Sequence, residues 1–472
     1  MAGTFSSLSN ALSAMRYNQV AMDVASGNVA NAGTPGYARR QVVGQATGAP
    51  SAPAMWSRWD GAGDGVQAGP VTRMVDPLLD ARSRSEHASA SFLNLQSTAL
   101  TRFETTLGEP GDNGVAAALA EFQAGWQDVA NNPGDGAARS QLIARANTLA
   151  DTINTQARAV STEWSDDYTR LQANVAEVNQ VADALDRLND GLRSAYVAGN
   201  DAGTLLDQRD QLTLRLAELT GASVQVNPDS TVTVTLGDTN PAPVLVDGSG
   251  KNPPATVALT GATDLSTATA NPVGVTVGGT AVPLTKGETG GALQVLNGDL
   301  PTYLSRLDDF AATLASQVNT QQQAGMDLNG AAGTAMFAGT SASTLAVVAT
   351  FAPGMVAAAG PAAKDPAVPG SGLLDNKNAI AMAALDMGGD KYRALVTSFG
   401  VTVSTAKQKS ANQDVLAAQV DASREALSGI SVDEEMVNLL AAQRGYEGAA
   451  RVLTTVDSIL DTLINRTGLV GR

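Results

Sequence analysis

The side chains that could carry out catalysis in this sequence are few and scattered. The 472 residues contain one histidine, His87, and no cysteine. Zinc-protease motifs need two histidines, and disulfides, thiolate metal sites and cysteine nucleophiles need cysteine, so these classes are excluded. A serine–histidine–aspartate triad would have to use His87, which has no nucleophile motif beside it. We therefore interpret His87 as a histidine on a solvated helix surface.

Pairs of carboxylates are the remaining candidates for acid–base chemistry. Asp166-Asp167, Asp308-Asp309 and Glu434-Glu435 lie near or within helical patterns, where a solvated helix face or a helix cap explains them. Asp327-Leu328-Asn329-Gly330 resembles the start of a calcium loop but lacks the later ligands. A hydrolase that uses two distant carboxylates needs no local motif, so this class stays open as the least favoured one. We expect no catalytic residue, no metal and no cofactor.

Composition and charge restrict the partners of the protein. The chain carries 46 acidic and 30 basic residues, a formal net charge of -16. Such a surface repels phosphate groups, so we expect no nucleic-acid partner and no attraction to anionic lipid. Residues 1–20 lack the features of a secretory signal peptide, and no stretch reaches the ~18 apolar residues of a membrane span. We expect no membrane insertion, and export, if it occurs, by another route.

Apolar residues at heptad spacing predict a long helix at each end of the chain. The N-terminal helix ends at Asn31-Ala32-Gly33, and most positions of its stripe are apolar. The C-terminal helix begins at a predicted capping box, Ser431-Val432-Asp433-Glu434, and its stripe is apolar throughout. The stripe residues that we predict to form an assembly interface are Phe5, Leu8, Leu12, Met15, Met22, Val29, Leu439, Tyr446, Leu453, Val456, Leu460 and Leu463.

Between the ends the sequence predicts an elongated helical bundle that contains a β-domain. Strict alternation of valine and threonine predicts a hairpin across the turn Asn227–Ser230. Thr34–Tyr37 has proline and glycine placed for a type II turn. The fold class is mainly α with an inserted β-domain. The predicted domains are a terminal coiled-coil assembly domain (1–35 and 431–472), an extended arm with short strands (36–82), a helical bundle (83–220 and 287–430) and the β-domain (221–286).

The two terminal helices have the features of an interface between molecules. Amphipathic helices usually pack on their own domain, but each stripe here lies at an extreme end of the chain, where fraying is the default. Each helix also has a second apolar edge, which includes Val24 in the first helix and Val452 and Ile459 in the second. Because a helix pair hides only one face of each helix, further neighbours are needed. We expect both ends to stay unpaired in the free chain and to fold when identical copies cover them.

Short motifs at both ends and in the middle carry a resemblance to a known family. Asn28–Tyr37 reads Asn-Val-Ala-Asn-Ala-Gly-Thr-Pro-Gly-Tyr, and Ala-Arg-Arg-Gln follows it. Gly65–Asp76, Leu205–Asp210 and Ser428–Glu435 supply further matches. Together these segments resemble the flagellar hook-associated protein 1 family. The segment 221–286 carries no motif of that family.

The resemblance implies a non-enzymatic structural subunit that joins hook to filament in the bacterial flagellum. It implies export through the flagellar type III apparatus, with a chaperone at the C-terminal helix beforehand. The implied partners are further copies of the chain, the flagellar hook protein and hook-associated protein 3, and the implied location is extracellular after a transient stay in the cytoplasm. Two alternatives stay open: another secreted axial (rod, hook or filament) or coiled-coil structural protein, and a hydrolase without a motif.

Overall fold

Long helices make up most of the structure. The computed structural model describes residues 2–47, 65–109, 111–237, 239–360 and 374–462, with side chains from residue 7 onward. The helices in these residues are α1 (Ala2–Ala30), α2 (Pro77–Leu107), α3 (Val115–Asn131), α4 (Gly136–Ala198), α5 (Gly203–Thr220), α6 (Leu265–Ala268), α7 (Gly287–Gln294), α8 (Leu300–Ala324), α9 (Lys377–Ala383), α10 (Gly389–Ser428) and α11 (Val432–Asp461). The strands are β1 (Arg40–Ala46), β2 (Val66–Arg73), β3 (Ser223–Val226), β4 (Val232–Thr235), β5 (Val244–Val246), β6 (Val257–Thr260), β7 (Gly274–Val277), β8 (Thr280–Val282), β9 (Phe337–Ala338) and β10 (Ala346–Val347). The predicted fold class is confirmed.

Helix α4, with 63 residues, forms one wall of the core. It begins at Asp135, whose carboxylate accepts a hydrogen bond from the Ala137 backbone N–H at 2.8 Å, an N-cap. Its apolar residues at helical spacing within Leu142–Leu192 are buried. In the sequence this segment shows two heptad seams, over residues 142–160 and 171–196. The structure joins them in one helix because residues 161–170 contain neither glycine nor proline to end it.

Helix α3 lies within the predicted bundle (83–220), although no apolar stripe was assigned to it from the sequence. Its large side chains, Leu119, Phe122 and Trp126, are buried and pack towards α4 and α9. The ring of Phe122 also meets that of Phe337 edge-on, with 5.7 Å between their centroids. The helix is short and its stripe contains few large residues among alanines, so its periodicity in the sequence is weak.

The residues between α5 and α7 form two small antiparallel sheets. Strands β3 and β4 make the predicted hairpin, in which Val226 lies opposite Val232, and β5 adds a third strand. Strands β6, β7 and β8 form the second sheet in sequential order. The inward valines of both sheets belong to the same core as the helices. This segment therefore packs on the helices as an extension of one core.

Asparagine side chains attach these sheets to the helices. Asn189 in α4 donates to the backbone oxygen of Val232 at 3.0 Å and accepts from its backbone N–H at 2.9 Å. Asn179 makes the same two bonds with Val257. Asn297, in the π-helical turn between α7 and α8, makes the same two hydrogen bonds with the backbone of Val273. Each amide thus satisfies two backbone groups that would otherwise be buried without partners.

No helix in the described part of the chain is both long enough and apolar enough to cross a membrane.

Several of the largest buried side chains lie between helices. One cluster joins Phe103 of α2, Tyr303 of α8 and Phe399 of α10, whose ring centroids are 5.0 to 5.4 Å apart in edge-on pairs. Such pairs contribute beyond the area that they bury.

Asn189 interrupts an otherwise apolar stripe of α4, and Asn189→Leu would complete that stripe. We nevertheless expect the substitution to lower the free energy of unfolding by about 2–4 kcal/mol. Two buried backbone groups of Val232 would lose their partners, and each such loss costs roughly 1–3 kcal/mol. Chemical denaturation of purified protein measures the change.

The matched control is Asn147→Leu, in the same helix at an exposed position. Surface changes of this kind usually stay within about 0.5 kcal/mol. If Asn189→Leu stabilised the protein, the hydrogen bonds to Val232 would contribute less than the apolar contact that replaces them, contrary to our account.

The terminal helix pair, a candidate assembly site

Helices α1 and α11 pack against each other in antiparallel orientation. Asn28 contacts Glu435, and ten residues earlier Asn18 lies beside Gly445. A Cβ atom on Gly445 would lie 2.5 Å from Oδ1 of Asn18, so a larger residue here would displace the Asn18 side chain. We call α1 and α11 the terminal pair. The structure corrects the expectation that the two ends stay unpaired in the free chain, because they cover each other within one chain.

On α11 the predicted apolar stripe is the buried one. Ala442, Ala449 and Val456 are buried, at intervals of seven residues. The other predicted residues of this stripe that the structure describes are half-buried: Leu439, Tyr446, Leu453 and Leu460. Leu463 lies outside the described residues. Buried and half-buried residues alternate along this stripe, which indicates that α11 packs closely against α1 along one line.

On α1 the most buried stripe lies one residue away from the predicted one. Ala11, Ala25 and Asn28 are buried, whereas Leu12 is 39% exposed. The other predicted residues of α1 with described side chains are half-buried: Leu8, Met15, Met22 and Val29. The side chain of Phe5 lies outside the description. Small residues permit the close approach to α11, and a shift of one residue turns the larger side chains about 100° away.

A buried carboxylate joins the terminal pair to the segment that follows α1. Glu435 is 3% exposed, and its Oε2 accepts a hydrogen bond from Nδ2 of Asn28 at 3.0 Å. Nε of Arg39 donates to Oε1 at 2.8 Å. Oδ1 of Asn28 accepts from the Arg40 backbone N–H at 3.0 Å and from the Tyr37 hydroxyl at 3.1 Å. We call Asn28, Tyr37, Arg39 and Glu435 the clasp.

The turn between α1 and β1 brings Tyr37 into the clasp. The Tyr37 backbone N–H donates to the Thr34 oxygen at 3.2 Å, and Gly36 has a φ of +76°, as the predicted type II turn requires. Burial raises the pKa of the Tyr37 hydroxyl, although the Arg40 guanidinium over its ring lowers it. The hydroxyl therefore stays protonated at neutral pH and donates to Asn28.

Two arginines connect the clasp region to α5. Arg40 Nη2 lies 3.3 Å from Oδ2 of Asp207, and Arg73 Nε donates to Oδ1 of the same residue at 2.8 Å. Arg73 Nη2 also lies 2.7 Å from Asp210. These side chains are shielded from water, so the loss of one partner would leave a costly unpaired charge. The four segments that carry the family resemblance therefore meet here: Asn28–Tyr37, Gly65–Asp76, Leu205–Asp210 and Ser428–Glu435.

Sequence reasoning missed the role of these polar residues, because the predicted interface contained apolar residues only. Ser431 accepts a hydrogen bond from the Glu434 N–H at 3.4 Å, which is half of the predicted capping box. The Glu434 carboxylate pairs with Arg39 at 3.2 Å instead of turning back. The sequence does contain a signal for these polar contacts. Basic residues follow the first helix and acidic residues begin the last one, so the pairing of the helices brings opposite charges together.

Most residues that could carry chemistry are engaged in structural contacts. Nε2 of His87 lies 2.8 Å from Asp421, and Nδ1 lies 3.6 Å from Glu218. His87 thus bridges α2 to α10 and α5, and with 25% of its side chain exposed it is less solvated than the sequence predicted. Oδ1 of Asp308 accepts from the Ala342 N–H at 2.7 Å. Among the described residues no group of three acidic, histidine or cysteine side chains could hold a metal ion.

Asp166 and Asp167 have opposite environments, although the sequence predicted a solvated pair. Asp166 is exposed, whereas Asp167 is 3% exposed and shares Arg102 with Glu163. Burial, followed by the charge of Glu163, raises the pKa of Asp167 to about 6, although Arg102 lowers it. This carboxyl group therefore takes up a proton at a higher pH than an exposed aspartate does.

Comparison with known proteins first defines the class. The family model described as "Flagella basal body rod protein" matches residues 8–37. The model described as "Flagellar basal body rod FlgEFG protein C-terminal" matches residues 425–466. These two segments contain most of the terminal pair and of the clasp. The protein is therefore of the flagellar axial class.

The helical body then shows the family. The model described as "Flagellar hook-associated protein FlgK helical domain" matches residues 100–337, half of the chain. The chain belongs to this flagellar hook-associated protein family, as its motifs predicted.

Relatives and a solved structure agree with this assignment. The flagellar hook-associated protein 1 of Bacillus subtilis strain 168 is 27% identical over the whole length of both chains. That of Escherichia coli K12 is 26% identical, with 97% of this chain and 99% of the relative covered. The flagellar hook junction protein FlgK from Burkholderia pseudomallei superimposes with a TM-score of 0.63 at 18% identity. The superposition covers 74% of this chain and all of that one, and shows that the fold is shared.

The clasp predicts unequal effects for two neighbouring glutamates. Glu435→Ala would leave Asn28 and Arg39 without their buried partner, so we expect the terminal pair to lose about 1–3 kcal/mol of stability. Glu434→Ala removes a carboxylate that is 63% exposed and contacts the same arginine, so its effect should stay below about 1 kcal/mol. Amide hydrogen exchange in α1 and α11 measures both changes. Equal effects of the two substitutions would show that burial does not make Glu435 more important than Glu434 for the stability of the terminal pair.

Asp167 predicts a pH dependence of stability. Its folded-state pKa of about 6 lies above the reference value of 3.8, so the folded protein binds the proton more tightly, and this contribution to stability is lost as pH rises from 4 to 6. The asparagine in Asp167→Asn does not titrate, so the variant does not lose this stability as pH rises. We expect the stability of the variant relative to the parent to increase by up to about 3 kcal/mol between pH 4 and pH 7.

Denaturation at a series of pH values measures this difference. The control Asp166→Asn changes the exposed neighbour and should give a curve parallel to that of the parent. A parallel curve for Asp167→Asn would contradict the account.

Proposed function

We propose that copies of this chain join the hook to the filament by packing their terminal pairs against one another. As a member of the FlgK family, the chain is a structural protein of the flagellar hook–filament junction. The proposal concerns how it performs that role. It assigns self-assembly to α1 and α11, with the predicted stripe residues at or beside the contacts between copies.

The observation that carries the proposal is an apolar face that remains bare after α1 and α11 have paired. Val437 of α11 is 65% exposed, and Leu440 and Val452 are each 47% exposed. Ile459 is 44% exposed. On α1, Leu12 is 39% exposed. Large apolar side chains that stay uncovered at several points along one side of a helix indicate a contact site.

The magnitude of burial favours assembly over a simple dimer. Full burial of one leucine, valine or isoleucine side chain stabilises by roughly 1.5–3 kcal/mol, so covering a half-exposed one gives about 1 kcal/mol. Several such residues per copy together offset only part of the cost of association. A closed ring of n copies has n contacts for n − 1 association steps, so ring closure adds a contact without a further association cost. The bare face is therefore suited to a ring or helical segment.

The proposal also covers the partners of the chain other than its own copies, and the place where it acts. The hook protein would lie on one side of the ring and hook-associated protein 3 on the other, and an export chaperone would cover the C-terminal helix beforehand. The chain would act outside the cell, after passing through the cytoplasm. Its net charge of -16 supports the exclusion of nucleic acid. We propose no catalytic role, since the family is structural and most of the candidate carboxylates are held in ion pairs, caps or the core.

The proposed division of the chain into domains is consistent with the role of the terminal pair in assembly. The terminal pair corresponds to the proposed assembly domain (1–35 and 431–472), and β1 and β2 belong to the arm (36–82). Helices α3 to α5, α7 to α10 and all but the first six residues of α2 fall within the proposed bundle (83–220 and 287–430), and β3 to β8 fall within the proposed β-domain (221–286). The alternative of another axial subunit shares the terminal pair and differs in the body. The match of the FlgK helical domain to residues 100–337 favours the junction protein.

Two double substitutions on α11 separate pairing from assembly. Val452→Asp plus Ile459→Asp changes only the bare face, so we expect the free chain to keep its helix content and melting temperature but to lose assembly on hooks. Leu453→Asp plus Leu460→Asp changes the face towards α1, so it should also disrupt the terminal pair while the bundle stays folded. Circular dichroism and reconstitution on hooks from a strain that lacks this chain measure the two effects.

The control for added charge is Gln443→Asp plus Thr454→Asp, at two exposed polar positions on the side of α11 away from Val452 and Ile459, which removes no apolar surface. This control should assemble. Assembly by Val452→Asp plus Ile459→Asp would sink the proposal, because the bare face would then be dispensable.

A further inference from the structure

Helix α10 has a second stripe of residues, which faces outward and carries no charge. Residues at steps of three and four along this stripe are all exposed: Val401, Thr405, Gln408, Asn412, Val415, Gln419, Ala422 and Ala426. Val401 is 60% exposed and Val415 is 67% exposed. The opposite face of the same helix is buried towards α2, through residues such as Val403, Ala406 and Val420. One helix therefore has two stripes of the kind that pack, and only one is covered.

The absence of charge on this stripe is unusual for a solvent-facing helix. A surface helix normally carries charged residues opposite its buried face. In α10 the exposed charges, such as Lys407, Asp414 and Glu425, lie to the side of the outward stripe. The stripe spans 26 residues, or roughly 38 Å at the rise of a helix. The chain has a surplus of 16 negative charges, yet it leaves this line free of them.

We infer that the uncharged stripe of α10 is a packing surface for the body of a second copy of this chain within the assembled junction. The inference rests on the proposed function and adds a second contact, separate from the terminal pair. It concerns the helical body, where the proposed function assigns no contact between copies.

Charge is the reason why the occupant is a second copy. Two copies with a net charge of -16 each repel wherever acidic surfaces approach closely. A line without ionised groups is where such copies can come into contact without that cost, and like charges across a contact are unfavourable. A basic partner would instead be matched by an acidic stripe. The chemistry of the stripe therefore fits a neighbour that is as acidic as the chain itself.

The size of the stripe explains why this contact would form only in the assembly. A strip of about 38 Å by 10 Å would bury about 380 Å² on each partner, or about 760 Å² in total. Stable interfaces between free proteins bury roughly 1,200 Å² or more. The stripe alone is too small to hold two copies together. When terminal pairs already hold neighbours side by side, the effective concentration is high and a small contact suffices.

The amides on the stripe have a role in this contact. Gln408, Asn412 and Gln419 can both donate and accept hydrogen bonds across a helix interface. A polar residue in a packing stripe fixes the register of the two helices at some expense of stability. A contact that forms only after assembly has begun needs correct register more than strength. The mixed composition of the stripe is consistent with that requirement.

A single introduced cysteine tests the contact, because the natural chain has none. In Gln419→Cys, a benzophenone maleimide on the thiol should cross-link one copy to another in junctions reconstituted on hooks. The free chain at the same concentration should give no such product. The matched control is Val226→Cys, 50% exposed in the β-domain, which should give little copy-to-copy product in either state. A cross-link to a different protein, or none in the junction, overturns the inference.

Charged substitutions test whether the contact contributes to assembly. Val401→Glu plus Val415→Glu places two negative charges on the stripe, and its control is Val226→Glu plus Val244→Glu in the β-domain. Both free variants should melt like the parent. The stripe variant should need about a ten-fold higher concentration to saturate hooks, since repulsion of about 1.4 kcal/mol corresponds to ten-fold. A stripe variant that saturates hooks like the control overturns the inference.

The two hypotheses fail in different ways. If the unmodified chain does not assemble through its terminal pairs, the proposed function fails and the inference with it. If Val452→Asp plus Ile459→Asp abolishes assembly as expected, but the stripe variant assembles like its control without cross-links at position 419, only the inference fails.

Discussion

The carboxylate of Glu435 must have partners, because it is almost excluded from water at the start of α11. Its partners come from the other end of the chain: Asn28 from α1 and Arg39 from the segment that follows. This single requirement fixes the position of α11 along α1 and brings the chain ends to the body. Arg40 and Arg73 then extend the same logic to Asp207 in α5. The geometry of the terminal pair thus depends on polar contacts, although its helices are amphipathic.

The close packing of α1 and α11 has a second effect, on the surface rather than the interior. Alanines and Gly445 occupy the line of contact, so the helices approach closely and the larger side chains stand beside it. A pair packed through leucines would have buried them and left little for a neighbour. Small residues inside and large apolar residues outside are therefore two aspects of one arrangement. It stabilises the pair and leaves apolar area for further copies.

The sequence predicted those features that a local pattern determines. The terminal helices, the type II turn at Gly36 and the β3–β4 hairpin follow from periodicity and turn chemistry. Features that depend on distant partners were not predictable in this way. The buried stripe of α1 is one residue from the most apolar one, because α11 selects small residues. Asp167 is buried because α2 supplies Arg102, and the clasp residues were found only as motifs of a family.

The asparagines that attach the β-domain contact backbone groups and not the side chains of its strands. Every residue except proline offers the same backbone N–H and C=O, so the anchoring is indifferent to most changes of strand sequence. The exposed turn between β7 and β8, at Gly278-Gly279, contributes none of the anchored backbone groups, although it follows Val277, which pairs with the anchored Val257. A foreign peptide inserted at that turn would leave the anchors intact. The β-domain is for this reason a natural place to display an epitope or an affinity tag on the outer surface of the protein.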